Sequence, residues 1–219
     1  MNLKSVFYIL LTFAICSCTQ ENSDKYYSHT EEVEIYNVVE DESGAGSGSM
    51  IYKESTKYKG KNKPVWRKFY EANGQLKGEE RYIYTSDELP TKSEYYDTSD
   101  SLLSTYLLTN DNNLKRRTVA MQGEEEEILR IEEFDYNKKG DRTQRVIKTA
   151  ASDIDKIYNF GFDDSGNETS VTVKDGDEKV LYTINYTITK KDSRNRWVEA
   201  WGFQNDKPIQ VKYRKFITE

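Results

Sequence analysis

The sequence contains few of the residues on which most enzyme and metal sites depend. Its 219 residues include two cysteines, Cys16 and Cys18, and one histidine, His29. The chain beyond residue 29 therefore offers no disulfide, thiol nucleophile, imidazole base or cysteine metal ligand. No G-x-S-x-G, P-loop or zinc-ligand spacing is present. We expect a protein that is not an enzyme and holds no cofactor or metal, although a hydrolase with two carboxylates leaves no sequence signature and stays open.

Long apolar runs and an excess of positive charge are also missing. The main apolar run, Val6 to Ile15, is interrupted by Thr12 and is shorter than the roughly 20 residues that a membrane-spanning helix needs. Lys and Arg total 32 and Asp and Glu total 38. Residues 1–17 carry one lysine and no acid, so their removal leaves 31 − 38 = −7. This negative charge argues against binding to nucleic acid.

The N-terminal segment has the organisation of an export signal. Lys4 precedes the apolar run, and Ile15-Cys16-Ser17-Cys18 follows it. This arrangement resembles the lipobox of bacterial lipoproteins, with Cys18 as the lipidated residue. The resemblance implies that residues 1–17 are a signal peptide, that the chain from residue 18 to 31 is a lipidated cysteine and flexible tether, and that the protein is anchored in the cell outer membrane. An ordinary secretory signal is the alternative.

Residues 32–219 show the pattern of a single all-β domain. The chain has 17 tyrosines and only three prolines, and strands favour aromatic residues and exclude proline from their centres. Alternation with period two places Tyr182, Ile184 and Tyr186 on one face of a strand. Trp197, Trp201 and Phe203 share a face in the same way, as do Ile209, Val211 and Tyr213, and we expect these faces to be buried. No segment shows the 3.6-residue period of a helix.

A turn motif repeats along this domain. An aromatic residue, an acid or amide, two further residues and then Gly or Asp occur at 70–74, 96–100, 136–140 and 162–166, with a degenerate copy at 188–192. Gly, Asn or Asp supplies a positive φ in such turns, and the preceding acid or amide binds the turn backbone. The copies end at positions 74, 100, 140, 166 and 192, so their spacing is constant except between 100 and 140. This constant spacing predicts a repeating hairpin.

The motif resembles the YD-repeat family, also called RHS-like repeats, and Phe162-Asp163-Asp164-Ser165-Gly166-Asn167 is the nearest copy. Tyr70-Glu71-Ala72-Asn73-Gly74-Gln75-Leu76 is also similar to MORN-variant repeats. The resemblance implies an antiparallel meander of repeating hairpins. Five or six units are too few to wind into the large shell of such proteins, so we predict a curled sheet, a sandwich or a small barrel.

Three functions fit this architecture. The first is a binding or assembly module for an envelope protein or a glycan, in which Trp66, Trp197 and Trp201 offer aromatic faces to sugars; the same tryptophans could instead fill the core. The second is a carrier that holds an apolar ligand in a cupped sheet or barrel. The third is a carboxylate-dependent hydrolase. The acidic run 124–127 could attract a basic partner or could simply be solvated.

Overall fold

The computed structural model describes residues 28–41, 44–60, 63–85, 89–110, 116–123 and 125–218, and these residues form β-strands and turns without a helix. The predicted signal peptide, the predicted lipidation site Cys18 and most of the predicted tether lie outside the described residues. The strands, in chain order, are β1 Ser28–Asp41, β2 Gly44–Lys59, β3 Lys63–Tyr70, β4 Leu76–Ile83, β5 Lys92–Asp97, β6 Leu102–Asn110, β7 Arg116–Gln122, β8 Ile128–Tyr136, β9 Arg142–Thr149, β10 Ile154–Phe162, β11 Glu168–Asp175, β12 Val180–Lys191, β13 Trp197–Gln204 and β14 Lys207–Thr218.

The fourteen strands form one closed, up-and-down antiparallel barrel. Each strand pairs with the next along the chain, and β1 closes the barrel by pairing with β14 from His29↔Thr218 to Asn37↔Gln210. The all-β meander of hairpins is thereby confirmed, and of the predicted alternatives the sheet takes the closed form. Closure removes both sheet edges, which would otherwise present unpaired backbone groups.

The sheet includes two segments whose sequence does not indicate a strand. Strand β1 begins at Ser28, so residues 28–31 belong to the sheet and not to the predicted tether. The Gly- and Ser-rich residues 44–49 have a composition typical of flexible loops, but they extend β2, and residues 44–47 pair with residues 38–41 of β1. The backbone of β1 supplies hydrogen-bond partners to this segment even though its own side chains give little packing.

The barrel has two distinct ends. Ser28 and Thr218 lie at one end, which we call the terminal end. The opposite, distal end carries six described hairpin turns, at 71–75, 97–101, 123–127, 149–153, 175–179 and 205–206. Described turns at the terminal end include 137–141, 163–167 and 192–196. The first five distal turns are evenly spaced along the chain, because each repeat consists of two strands and contributes one turn to the distal end.

The turns follow the predicted chemistry. The side-chain oxygen of Asp97 accepts hydrogen bonds from the backbone N–H groups of Ser99 and Ser101, at 2.8 and 2.9 Å. Asn137, Asp163, Asp175 and Asp192 accept the same pair of bonds in their own turns. Positive φ occurs at the predicted positions 74, 100, 140 and 166. The degenerate copy was assigned wrongly, because Asp192 is the first residue of its turn and Asn195 has the positive φ of 60°.

One half of the barrel interior is filled by a hydrophobic core. Seven buried residues from β9 to β12 form it: Ile147, Tyr158, Phe160, Val171, Val173, Ile184 and Tyr186. The buried face predicted for Tyr182, Ile184 and Tyr186 is therefore the inner face, although Tyr182 is only partly buried.

On β13 and β14 the predicted assignment of faces was only partly right, since Ile209 packs against the core but Val211 does not belong to it. Ala200, Gly202, Gln210 and Lys212 share the face of the core, and Gln210 donates to the Tyr186 hydroxyl at 2.6 Å. Trp201 pairs with Val211 on the opposite face of the sheet, where Val211 is fully covered.

Charged side chains occupy much of the remaining interior. Arg214 and Glu31, both buried, form an ion pair at 2.7 Å across the β1–β14 closure. Lys212 reaches from β14 to Glu168 on β11 at 2.9 Å and lies 3.8 Å from the centre of the Tyr186 ring. Barrel diameter increases with strand number, so a fourteen-stranded barrel is too wide for small apolar side chains alone to fill. Long charged side chains that pair across the lumen fill part of this width.

Candidate functional site: an interior cavity

The half of the barrel opposite the core contains a cavity of about 440 Å³. Its walls are formed by the inner faces of β2 to β8. Its outer part is lined by residues at the β3–β4 turn, Tyr70, Glu71, Ala72 and Lys77. Because that turn lies at the distal end, the cavity opens there.

Most of the cavity wall is aromatic or aliphatic. The aromatic lining comes from five strands and comprises Tyr52, Phe69, Tyr70, Tyr95, Tyr106 and Phe134. The rings of Phe69 and Tyr95 meet edge to face, with centroids 5.8 Å apart. Leu108 and Val119 pair with each other across β6 and β7 and add an aliphatic patch. Such a wall suits a flat or apolar ligand body.

Gly78 determines where the Tyr95 ring lies. A Cβ atom at position 78 would come within 2.5 Å of the Tyr95 hydroxyl and within 2.5 Å of the Tyr96 carbonyl oxygen. Only a residue without a side chain leaves room for Tyr95 to cross over β4. Glycine in a strand interior often marks such a close approach.

The first polar group of the wall is centred on Glu80. Its carboxylate accepts hydrogen bonds from the hydroxyls of Ser93 at 2.6 Å and Tyr82 at 2.9 Å. Arg67, fully buried on β3, lies 3.8 Å from the same carboxylate. Glu54 lies next to this group, accepts a 2.5 Å hydrogen bond from Tyr52, and has a pKa that burial raises despite the opposing charge of Arg67. A carboxylate that is buried away from water needs hydrogen-bond donors or an opposite charge of this kind as partners.

The second polar group is centred on Glu132, on the opposite part of the wall. Arg145 places Nε and Nη2 each 2.7 Å from its Oε2 atom, and Arg130 contacts its Oε1 atom. Burial raises the pKa of Glu132, but the charges and hydrogen bonds of Arg145 and Arg130 outweigh it and hold that pKa below its usual range. Two cations therefore share one buried anion, and Arg130 and Glu132 line the cavity.

The structure does not bring the three predicted tryptophans together. Trp66 lies on β3, whereas Trp197 and Trp201 lie on β13, and β14, β1 and β2 separate these strands. Lys68 sits 4.8 Å above the Trp66 ring, and Trp201 donates to Glu199 at 3.2 Å. The three residues are partly buried and do not line the cavity. Their role as a sugar-binding surface stays a prediction.

His29, which was expected to lie in the tether, belongs to β1. Its ring stacks on Tyr58 of β2 with centroids 5.0 Å apart and an interplanar angle of 13°. It therefore lies at the terminal end of the barrel, away from the cavity mouth. Among the residues that the structure describes, no group of three or more His, Cys, Asp or Glu side chains could hold a metal ion.

Sequence reasoning missed the cavity residues because they come from seven strands. Glu80 and Glu132 are far apart along the chain, and neither stands in a local motif. One signal was available: an acid or arginine in the middle of an alternating strand, such as Arg67, Glu80 or Arg145, is unusual on a face that a closed sheet buries. Only the register of the barrel shows that these positions face inward together.

Within the described part of the chain, no helix is both long enough and apolar enough to cross a bilayer. No protein-family model matches the sequence, and no curated protein does.

Solved structures give only distant similarities. A porin-like protein from Bacteroides uniformis has a TM-score of 0.34 and 10% identity, over 86% of this chain and 96% of its own. A putative outer membrane lipoprotein-sorting protein domain from Vibrio parahaemolyticus also has a TM-score of 0.34, with 8% identity over 88% of this chain and 85% of its own. The Tc holotoxin pore of Photorhabdus luminescens matches at 0.34 and 10% identity, over 80% of this chain but 12% of its own. Since these scores are below 0.5, we base neither fold nor function on them, and the resemblance to YD repeats stays unconfirmed.

Proposed function

We propose that this protein is a binding protein that holds one small amphipathic ligand inside its barrel and does not transform it. The observation that carries this proposal is the cavity of about 440 Å³, which is lined by aromatic and aliphatic side chains and contains two polar groups. Ligand sites commonly have volumes of about 300–1,000 Å³ and this kind of lining. Of the functions considered from sequence, the carrier predicted such a cavity.

The polar groups suggest how a ligand is oriented. The apolar body would lie against Tyr95, Tyr106 and Leu108, while a polar substituent would exchange hydrogen bonds with Arg130 or Ser93. A few placed polar groups in an apolar pocket fix orientation and give specificity. An acyl chain or a flat ring system with one polar substituent has the required chemistry.

The electrostatics favour binding over hydrolysis. A carboxylic acid that protonates a leaving group needs a raised pKa. The pKa of Glu132 is lowered by its two arginines, so this residue is unsuited to that role. The pKa of Glu54 is raised, but Glu54 is buried and is not among the residues that line the cavity.

The proposal includes a location. We infer that Cys18 is lipidated and holds the protein on the outer membrane, with the barrel in the periplasm or at the cell surface. Nine residues, 19–27, separate Cys18 from the start of β1, and they span at most about 30 Å. The terminal end would then face the membrane and the cavity mouth would face away from it. Labelling of cells with an alkyne-tagged fatty acid should mark the protein and should fail for Cys18→Ala.

The binding function can be tested with N-phenyl-1-naphthylamine, a small dye whose fluorescence rises in apolar surroundings. We expect saturable binding with one dye per barrel. Leu108→Trp should weaken it strongly, because the larger side chain projects into the cavity and narrows it. The matched control is Leu107→Trp, since Leu107 is its neighbour but is 39% exposed, whereas Leu108 is 7% exposed.

Two results would contradict the proposal. The first is equal dye binding by the two tryptophan variants, both folded as judged by circular dichroism. The second is binding that rises without saturation, which indicates dye on the outer surface. Native mass spectrometry of the protein purified from its own cells would identify a ligand that is retained.

A further inference from the structure

The distal end carries a concentration of exposed aliphatic side chains. Eleven large hydrophobic residues are exposed among the described residues, and eight of them lie at this end: Val39, Leu76, Leu102, Leu103, Leu129, Ile154, Val180 and Leu181, each 39–53% exposed. They come from six strands around the barrel, and we call them the apolar collar. The other three, Val65, Ile83 and Leu107, lie nearer the terminal end or at mid-strand. Exposed apolar surface that is concentrated in one region of a protein commonly marks an interaction site.

The collar is built into the repeat. The first strand residue after each of five successive distal turns is aliphatic, and these evenly spaced positions are Leu76, Leu102, Ile128, Ile154 and Val180. At the terminal end the corresponding positions after the described turns are Arg142, Glu168 and Trp197. The hairpin geometry is the same at both ends, so the geometry alone does not require aliphatic residues. The difference between the two ends therefore points to a function of the distal end.

The turns that project beyond the collar are strongly acidic. Within the described residues, the six distal turns contain eleven acids, Glu71, Asp97, Asp100, Glu125, Glu126, Glu127, Asp153, Asp175, Asp177, Glu178 and Asp206, and one base, Lys179. The described terminal turns at 137–141, 163–167 and 192–196 contain four acids and four bases. The distal end thus combines apolar surface with a negative field.

We propose that the distal end docks a protein segment that carries basic and apolar side chains together. Charge complementarity selects this occupant. A second copy of the chain would bring a second acidic end against the first, and an anionic bilayer surface would be repelled in the same way. A basic amphipathic segment meets both features, because its cations face the acidic turns and its apolar side chains cover the collar.

The position of the collar gives the docking a consequence. The cavity opens at the distal end, beside the β3–β4 turn. A segment bound across this end would therefore control access to the cavity, either by covering its mouth or by holding the adjacent turns apart. The docking surface itself rests on exposure and charge and does not depend on whether the cavity holds a ligand. The two proposals can therefore fail separately.

The test uses the chain from Thr19 onward, which contains the fourteen described strands, and synthetic peptides as probes. One peptide forms an amphipathic helix with a leucine face and a lysine face. A second replaces each lysine by glutamine, and a third replaces each leucine by serine. We expect the first to bind and both others to bind about tenfold more weakly or worse, since each lacks one of the two complementary features. Binding is measured by fluorescence anisotropy at two salt concentrations.

Variants of the protein locate the binding surface. Leu102→Ser, Leu103→Ser, Leu129→Ser and Leu181→Ser together remove four of the eight collar residues and should weaken peptide binding about tenfold or more. The matched control combines Val65→Ser, Ile83→Ser and Leu107→Ser, which removes exposed aliphatic residues elsewhere and should leave binding unchanged. If the collar variant unfolds, a second variant keeps the test valid; it combines Glu125→Gln, Glu126→Gln, Asp177→Asn and Glu178→Gln. These side chains lie in turns, so their substitution should leave the fold intact. Because the variant removes four negative charges, its binding of the lysine-containing peptide should depend less on salt.

Several results would overturn the proposal. Equal binding by the collar variant and its control would show that the peptide sits elsewhere. Sedimentation with vesicles of phosphatidylcholine and phosphatidylglycerol, lost in the collar variant, would assign the collar to a lipid surface instead. A dimer in analytical ultracentrifugation that the collar variant abolishes would assign it to a second copy.

Discussion

Loss of the Glu132 charge should destabilise the protein by several kcal/mol, and Glu132→Gln removes that charge while keeping the shape of the side chain. Arg145 and Arg130 both pair with this carboxylate, and Arg145 is only 1% exposed. Removal of one partner from a buried ion pair costs about 3–5 kcal/mol, because the remaining charge is left without a counter-ion. For a chain of this size, each kcal/mol lowers the melting temperature by about 2–4 °C. We therefore expect a decrease of roughly 6–20 °C, measured by thermal and urea unfolding.

The adjacent residue provides the control. Glu133 pairs with Lys148 at 2.6 Å, but both side chains are about a quarter exposed. Partly solvated pairs of this kind contribute about 0–1 kcal/mol. Glu133→Gln should therefore change the free energy of unfolding by less than about 1 kcal/mol. Similar costs for the two substitutions would refute the view that an interior charge network stabilises the barrel.

The pH dependence gives a second check on the same residue. The pKa of Glu132 is lowered from its ordinary value of 4.5, so the folded state keeps the carboxylate charged where the unfolded state takes up a proton. Its contribution is complete above pH 4.5 and is lost as the pH falls through the lower folded pKa. The stability difference between the native protein and Glu132→Gln should consequently shrink below pH 4.5. A constant difference between neutral and strongly acidic pH would contradict the assigned charge state.

Three smaller substitutions test the local geometry. Gly78→Ala should destabilise the protein by about 1–3 kcal/mol and weaken dye binding, because its Cβ would displace the Tyr95 hydroxyl; Gly46→Ala, whose Cβ would meet no atom within 4 Å, is the control. Ser152→Gly should stabilise by about 0.5–1 kcal/mol in urea unfolding, since Ser152 has a φ of 70°. Gly166→Ala should destabilise by about 1–2 kcal/mol in the same assay, since Gly166 has a φ of 79°.

The turns show how far the repeat could be predicted. The motif at 96–100 and 162–166 has an Asp followed by a Gly or Asp that tolerates positive φ, and these turns form where predicted. The motif does not match the distal turns at 123–127 and 149–153, because Glu126 and Ser152 occupy the positive-φ positions. These residue types rarely mark such turns. The copies of the motif that end at positions 74 and 100 lie at the distal end of the barrel, whereas those that end at 140, 166 and 192 lie at the terminal end. The wider gap between 100 and 140 arises from this change of end.

The closure of the sheet and the cavity could not be read from the sequence. The pairing of β1 with β14 joins the first described strand to the last, and strand number and register together decide whether a sheet closes. The cavity depends on the same register, since Tyr52, Glu80 and Arg130 face one another only once the barrel is complete. Period-two alternation shows that two faces exist but does not show which of them lies inside.

The partly wrong assignment of faces on β13 and β14 follows from that ambiguity. Hydrophobicity favoured the face of Trp201 and Val211 as the buried one, yet the inner face carries Gly202 and Lys212. Both faces are covered, because Val211 is shielded on the outside while Lys212 lies against Tyr186 inside. In a barrel whose lumen is wide enough to need long side chains, a lysine paired with an acid fills the interior as well as an aliphatic residue does. The space that these side chains leave unfilled lies against β2 to β8, and that cavity is where we expect the ligand to bind.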